Sequence, residues 1–266
     1  MVAELRDGEE SEWAVISQCS DRLDHLHLRI ARHFARPEIR ARVRRYLAGL
    51  LERVERKNGW QVAETIGEVG PQGVQRLLNG SVWDADAVRD ELRAYVVEHL
   101  GDPQSGVLVV DETGFLKKGA KSCGVASQYS GTAGRTVNQQ VGVFLAYASG
   151  SGCAFIDRAL YLPRVWAADR ARRAEAGVPP QVRFATKIAL AQRMLARAFA
   201  AAVPARWVVA DCLYGRAQQF RRWLEGRGRS YVVGVLPTQV VQRADGQWAA
   251  QRLARSLPAT GWACRS

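Results

Sequence analysis

The first hundred residues place apolar side chains at helical spacing, and the remainder alternates short apolar runs with turns. Ile39, Val43, Tyr46, Leu47, Leu50, Leu51 and Val54 recur at three- and four-residue steps, which marks one face of a helix. Pro37 and Glu38 suit its first turn, and Asn58-Gly59 is read as its end. Shorter helices are predicted over Trp60 to Ile66 and Gln72 to Leu78, separated by Gly67, Gly70 and Pro71 and closed by Asn79-Gly80. Another runs from Asp84 or Asp86 to Leu100, capped by an aspartate and stopped by Gly101. Residues 1–102 therefore read as a helical region.

Beyond Gly106 the pattern changes. Val107-Leu108-Val109-Val110 is a continuous apolar run, as in a strand buried on both faces, and it runs straight into Asp111. Lys121 to Tyr129 and Val137 to Tyr147, on either side of the turn-rich Ser130 to Gly134, predict a hairpin. Ala154 to Leu162 reads as a strand ended by Pro163, Arg164 to Val182 as a charged loop, and Phe184 to Ala202 as a long helix. Trp207-Val208-Val209-Ala210 is a second buried strand, and it too runs into an aspartate, Asp211. A helix from about Ala217 to Gly226 and a strand from Ser230 to Leu236 follow. This order predicts an α/β domain with a mixed sheet over residues 103–266.

Charge narrows the function. The 38 basic and 26 acidic residues give a net charge of +12, a field that favours a polyanion, nucleic acid first. Only five of the basic residues are lysines, and a G+C-rich genome produces the same arginine bias whatever the function. The excess is local: Arg29 to Lys57 holds ten Lys or Arg against three Glu. Arg40, Arg44, Arg45, Arg53 and Arg56 lie opposite the apolar stripe. The short helix pair has helix-turn-helix proportions, with Gln72, Gln75 and Arg76 on its second member. The competing reading is a packing bundle with a solvated arginine face.

Other classes are excluded by composition. Apolar residues at 47% and charged ones at 24% are globular values, not those of a disordered chain. No run of about 18 apolar residues predicts a membrane span. Glu4, Asp7, Glu9, Glu10 and Glu12 give the start the wrong charge for a signal peptide, so a cytoplasmic, nucleoid-associated protein is expected. Five cysteines without CxxC spacing predict neither a disulfide framework nor a zinc site. His25, His27 and His33 lack companion cysteines and read as a helix face.

The candidate chemistry lies at the two strand ends. Open α/β sheets bind ligands at the carboxyl ends of their strands. A divalent cation relieves the repulsion between neighbouring carboxylates. Two such ions about 3.5–4 Å apart can drive phosphodiester transfer. Strand-end aspartates are also common turn formers and helix caps, so Asp111 and Asp211 carry both readings. Glu112 follows Asp111, and strand alternation turns it to the opposite face. Cys212 reads as a small buried residue, and Tyr214 as either a packing residue or a base-stacking one.

Four segments in order are family-specific: Gly106-Val-Leu-Val-Val-Asp-Glu-Thr-Gly-Phe-Leu-Lys-Lys-Gly119, Gln128-Tyr-Ser-Gly-Thr-Ala-Gly134, Arg183-Phe-Ala-Thr-Lys187 and Trp207-Val-Val-Ala-Asp-Cys-Leu-Tyr-Gly215. With them the chain, from about Phe34 to Val235, resembles bacterial insertion-sequence transposases of the DDE superfamily. The resemblance implies a ribonuclease-H-like core behind a helical DNA-binding region. Asp111 and Asp211 would be its first two catalytic, metal-binding aspartates, with Mg²⁺, or Mn²⁺ in its place, as cofactor. It implies double-stranded DNA at transposon ends as the partner, and leaves homo-oligomerisation on that DNA open. Lys117 and Lys118 read as phosphate contacts or as a solvated loop.

The sequence departs from the family at the third carboxylate. Only Glu225 and Asp245 follow Asp211, and Glu225 lies one predicted helix later, too early for that role. The expectation is a C-terminally truncated copy with an incomplete core, inactive alone. The alternatives are a non-catalytic DNA-binding remnant that inhibits transposition and an unrelated nuclease with a two-carboxylate site.

Overall fold

The computed structural model describes residues 2–131 and 133–258, with side chains from Ser17 onward. The chain divides into two compact units, Met1–Tyr95 and Val96–Ser266.

The first unit is helical: α1 (Val2–Ala31), α2 (Pro37–Leu51), α3 (Gly59–Thr65), α4 (Gln72–Asn79) and most of α5 (Ala85–Leu100). Ile39 and Val43 from the α2 stripe pack with Ile30, Phe34, Leu77 and Val88. Phe34 also stacks on Trp83, ring centroids 5.2 Å apart. As predicted, α5 is capped by an aspartate, Asp84, whose Oδ1 accepts from the amides of Asp86 and Ala87. The end of α2 differs from expectation. Glu52 is already extended, and Asn58 instead starts α3, accepting from the amides of Trp60 and Gln61. Asparagine serves an N-cap as well as a C-terminal stop, and the spacing alone did not distinguish them.

The second unit is a mixed α/β fold. Its elements are β1 (Val107–Leu116), β2 (Ala126–Ser130), β3 (Arg135–Ser149), β4 (Gly152–Tyr161), α6 (Arg164–Ala168), α7 (Arg170–Glu175), α8 (Lys187–Ala200), β5 (Trp207–Ala210), α9 (Cys212–Gly215), α10 (Gln218–Glu225), β6 (Ser230–Val233), β7 (Val240–Arg243), β8 (Gly246–Ala249) and α11 (Ala250–Ser256). Strand β3 pairs antiparallel with β1, β2 and β4, while β5 runs parallel to both β1 and β6. The spatial order β4-β3-β1-β5-β6, with β2 on the far part of β3, is the ribonuclease-H-like arrangement. A separate hairpin joins β7 and β8.

One face of the large sheet is covered. Leu108, Val110, Val143, Leu145, Tyr147, Ile156 and Val208 pack against Ala191, Met194 and Leu195 of α8, Tyr214 of α9, and Phe220 and Leu224 of α10. The opposite face carries a registered apolar row, Val232, Val209, Val109, Ala146 and Phe155, one residue from each of five strands. Phe155 is 69% and Val232 59% exposed. The strand Val107–Val110 is thus fully buried on one face only, the face covered by α8, α9 and α10.

Two further expectations change. Arg164 to Val182 holds α6 and α7, each too short to show a period. Trp166 anchors them: it is fully buried, its indole N–H donates to the Val125 carbonyl at 2.6 Å, and the Arg172 guanidinium lies 3.8 Å from its ring centroid. Strand β6 stops at Val233, short of Leu236, because its partner β5 ends at Ala210 and the chain turns there into α9, leaving nothing for a longer β6 to pair with.

Candidate metal centre

Strands β1 and β5 lie side by side, parallel, with Val110 paired to Ala210. The next residue on each is an aspartate. Asp111 continues β1, whereas Asp211 ends β5 and caps α9. Asp111 Oδ1 accepts from the Glu112 amide at 2.7 Å and Asp211 Oδ1 from the Leu213 amide at 2.9 Å. Each Oδ2 has no protein partner among the described residues, and both side chains are exposed. The two line one cleft of about 290 Å³ together with Glu112, Gly114, Tyr129, Gln139 and Lys187.

The cleft wall is closely tied. Glu112 uses both carboxylate oxygens: Oε1 pairs with Lys187 Nζ at 2.9 Å, and Oε2 accepts from the Tyr214 hydroxyl at 2.9 Å. Tyr214 is fully buried. Burial, and then the negative charges of Glu112, Asp211 and Asp111, push its phenol pKa far up, so it stays a neutral donor. Gln139 is buried, and its Nε2 donates to the carbonyls of Gln128 and Tyr129 at 3.1 and 2.9 Å. Its Oε1 lies against Gly114, where a Cβ would come within 1.9 Å of it. Gly215 is required by proximity too: a Cβ there would sit 1.8 Å from the Gly234 carbonyl.

The other candidates are dispersed. Arg76 is exposed on α4 beside Gln72 and Gln75, and Lys117 and Lys118 are exposed past the cleft on the β1 side. Arg40 and Arg44 are engaged inside their own unit. Arg40 Nε donates to the Phe34 carbonyl at 2.7 Å, and Arg44 pairs with Asp24. Much of the basic excess of Arg29 to Lys57 is answered by acids outside that window. Arg29 and Arg32 pair with Glu91, and Arg42 and Arg45 with Glu68. Arg36, Arg53 and Arg56 have no acidic partner among the described residues. The three histidines make separate contacts, with the Tyr95 ring, the Arg40 carbonyl and Glu91. Cys212 is exposed, not buried, and Tyr214 is a packing residue. Glu225, outside the residues lining the cleft, accepts from the Tyr231 hydroxyl at 2.5 Å. The Glu112–Lys187–Tyr214 network was missed. Its only sequence signal was the recurrence of Glu112, Lys187 and Tyr214 in three of the four family-specific segments.

Two carboxylates with open oxygens in one cleft suit a hard divalent cation, since Mg²⁺ is commonly held by one or two carboxylates and several waters. Among the described residues no group of three or more His, Cys, Asp and Glu is arranged to hold a metal. No helix among them is long and apolar enough to cross a membrane.

The class these features define is a mixed-sheet α/β core with paired carboxylates at adjacent parallel strand ends. Residues 29–258 match the DDE superfamily endonucleases, and the chain belongs to that family. It is similar to a protein of Microchaete diplosiphon described as "Probable transposase for insertion sequence element IS701", with 28% identity over 196 residues. That stretch is 73% of this chain and 48% of the relative, so the chain spans about half the length of the curated relative it matches. The kinship with insertion-sequence DDE transposases holds.

Proposed function

We propose that this chain is the DNA-processing part of an insertion-sequence transposase, acting at the double-stranded ends of its element on the bacterial nucleoid. Asp111 and Asp211 would hold Mg²⁺, or Mn²⁺ in its place. The observation that carries the reading is the parallel pairing of Val110 with Ala210, one residue before each aspartate. A divalent ion there supplies Lewis-acid stabilisation of charge on phosphate oxygens. The exposed Arg76, Lys117 and Lys118 contact phosphates in this reading. Arg40 and Arg44 join them only by giving up their internal bonds. The cleft offers two free carboxylates and Glu112 is doubly bonded, so the 266-residue chain alone binds DNA and metal without cutting. A third acid must come from another polypeptide segment or a second copy.

A second reading, a non-catalytic DNA-binding chain, is favoured by the absence of a three-ligand group among the described residues. One experiment tests both. The purified chain is incubated with Mg²⁺ or Mn²⁺ and a transposon-end duplex over a salt series. Binding that falls steeply with salt is expected, because phosphate contacts release counterions. Salt-insensitive or absent binding removes DNA as partner. Strand cleavage abolished by Asp111→Ala would show the two-carboxylate site to be sufficient, and saturable Mn²⁺ binding lost in Asp111→Asn separates the first reading from the second.

A further inference from the structure

We infer that Tyr214, Glu112 and Lys187 form a brace that sets the relative placement of Asp111 and Asp211, so that these three act as positioning residues and Glu112 is not a metal ligand. The inference rests on the proposal that the two aspartates share a metal. The β1–β5 ladder ends at the pair Val110–Ala210. Past it β5 turns into α9, and the ladder no longer fixes where the Asp211 side chain lies relative to β1. The Glu112–Tyr214 bond takes over at that point. Glu112 follows Asp111 on β1, and Tyr214 sits in the short helix that Asp211 caps. Among the described residues it is the hydrogen bond that joins β1 to α9. Lys187, the first residue of α8 behind its Thr186 cap, ties the same carboxylate to a third element.

The chemistry agrees with a brace. Both oxygens of Glu112 are used, one on a cation and one on a neutral hydroxyl, leaving it little capacity to coordinate an ion. Lys187 also offsets its charge, so the cleft does not confront a metal with three mutually repelling carboxylates. Strand alternation turns Glu112 toward the face covered by α8 and Asp111 toward the opposite one. Tyr214 is fixed in turn, fully buried with its ring 5.8 Å from that of Phe220. Groups that orient metal ligands in this way typically change metal affinity by about 10–100-fold when removed.

The test is titration of the full chain with Mn²⁺ alone, free ion being read by electron paramagnetic resonance, with thermal midpoints taken without metal. Asp111→Asn should abolish binding. Tyr214→Phe, which keeps the ring and its packing, should weaken it about 10-fold while the metal-free midpoint moves little. Lys187→Met should weaken it similarly, and Lys187→Arg should restore most of it. Wild-type affinity in both Tyr214→Phe and Lys187→Met overturns the brace alone. Loss in Glu112→Gln as complete as in Asp111→Asn makes Glu112 a ligand and also overturns it. A wild-type chain with no Asp111-dependent Mn²⁺ binding removes the metal reading and the brace together.

Discussion

The two faces of the central sheet are built from the same strands and are almost equally apolar, yet they have opposite fates. Leu108 and Val110 are buried beneath α8, α9 and α10, whereas on the other face Val232 and Phe155 are exposed and Val109, Ala146 and Val209 only partly buried. Residue parity along β1 carries the contrast into the candidate site. Glu112 falls on the covered side, where Lys187 and Tyr214 take up both its oxygens. Asp111, one residue earlier, emerges on the other side with a free oxygen. Adjacent acids thus end differently, one with both oxygens bonded and one with an oxygen left open. The difference teaches that packing by neighbouring elements, rather than residue type, decides which carboxylate keeps an open oxygen.

Three substitutions probe this contrast. The largest effect should come from the covered face: Leu145→Ala removes a fully buried side chain and should cost about 2–5 kcal/mol in denaturant unfolding. A loss below about 1 kcal/mol would mean that the packing there is loose. Next is the open face. Phe155→Ser removes an exposed ring that touches only part of its surroundings, chiefly Phe144 at 5.2 Å between centroids, and should cost no more than about 1 kcal/mol. It should also reduce binding of a hydrophobic dye, because a contiguous apolar patch is interrupted. Undiminished dye binding with a large stability loss would mean that this face is covered after all. The smallest effect belongs to Asp111→Asn, measured without metal. Asparagine keeps the Oδ1 acceptor for the Glu112 amide, so at this exposed position stability should change by no more than about 0.5 kcal/mol. A clear loss instead would show that the carboxylate has a structural role.

The sequence by itself determined the local features and the kinship. The apolar stripe of α2, the aspartate cap of α5, the two strands that each end in an aspartate, and the four family-specific segments were legible because each is written in neighbouring residues. Asp111 and Asp211 could be nominated on that basis. That they stand side by side was decided by the parallel pairing of β1 with β5, a contact between residues about a hundred positions apart that no local pattern encodes. The same holds for Glu112, whose partners Lys187 and Tyr214 are 75 and 102 residues away. It holds too for the arginines of the first unit, where acids at Asp24, Glu68 and Glu91 answer a basic excess that a count of adjacent residues leaves unbalanced. Helices α6 and α7 escaped because five or six residues are too few for a period, and Trp166, buried against a distant carbonyl, is what holds them. Local propensity and spacing select the elements. Which charges are neutralised, which face is covered and which carboxylates share a cleft follow only when distant segments are packed together, because burial and ion pairing depend on neighbours in space.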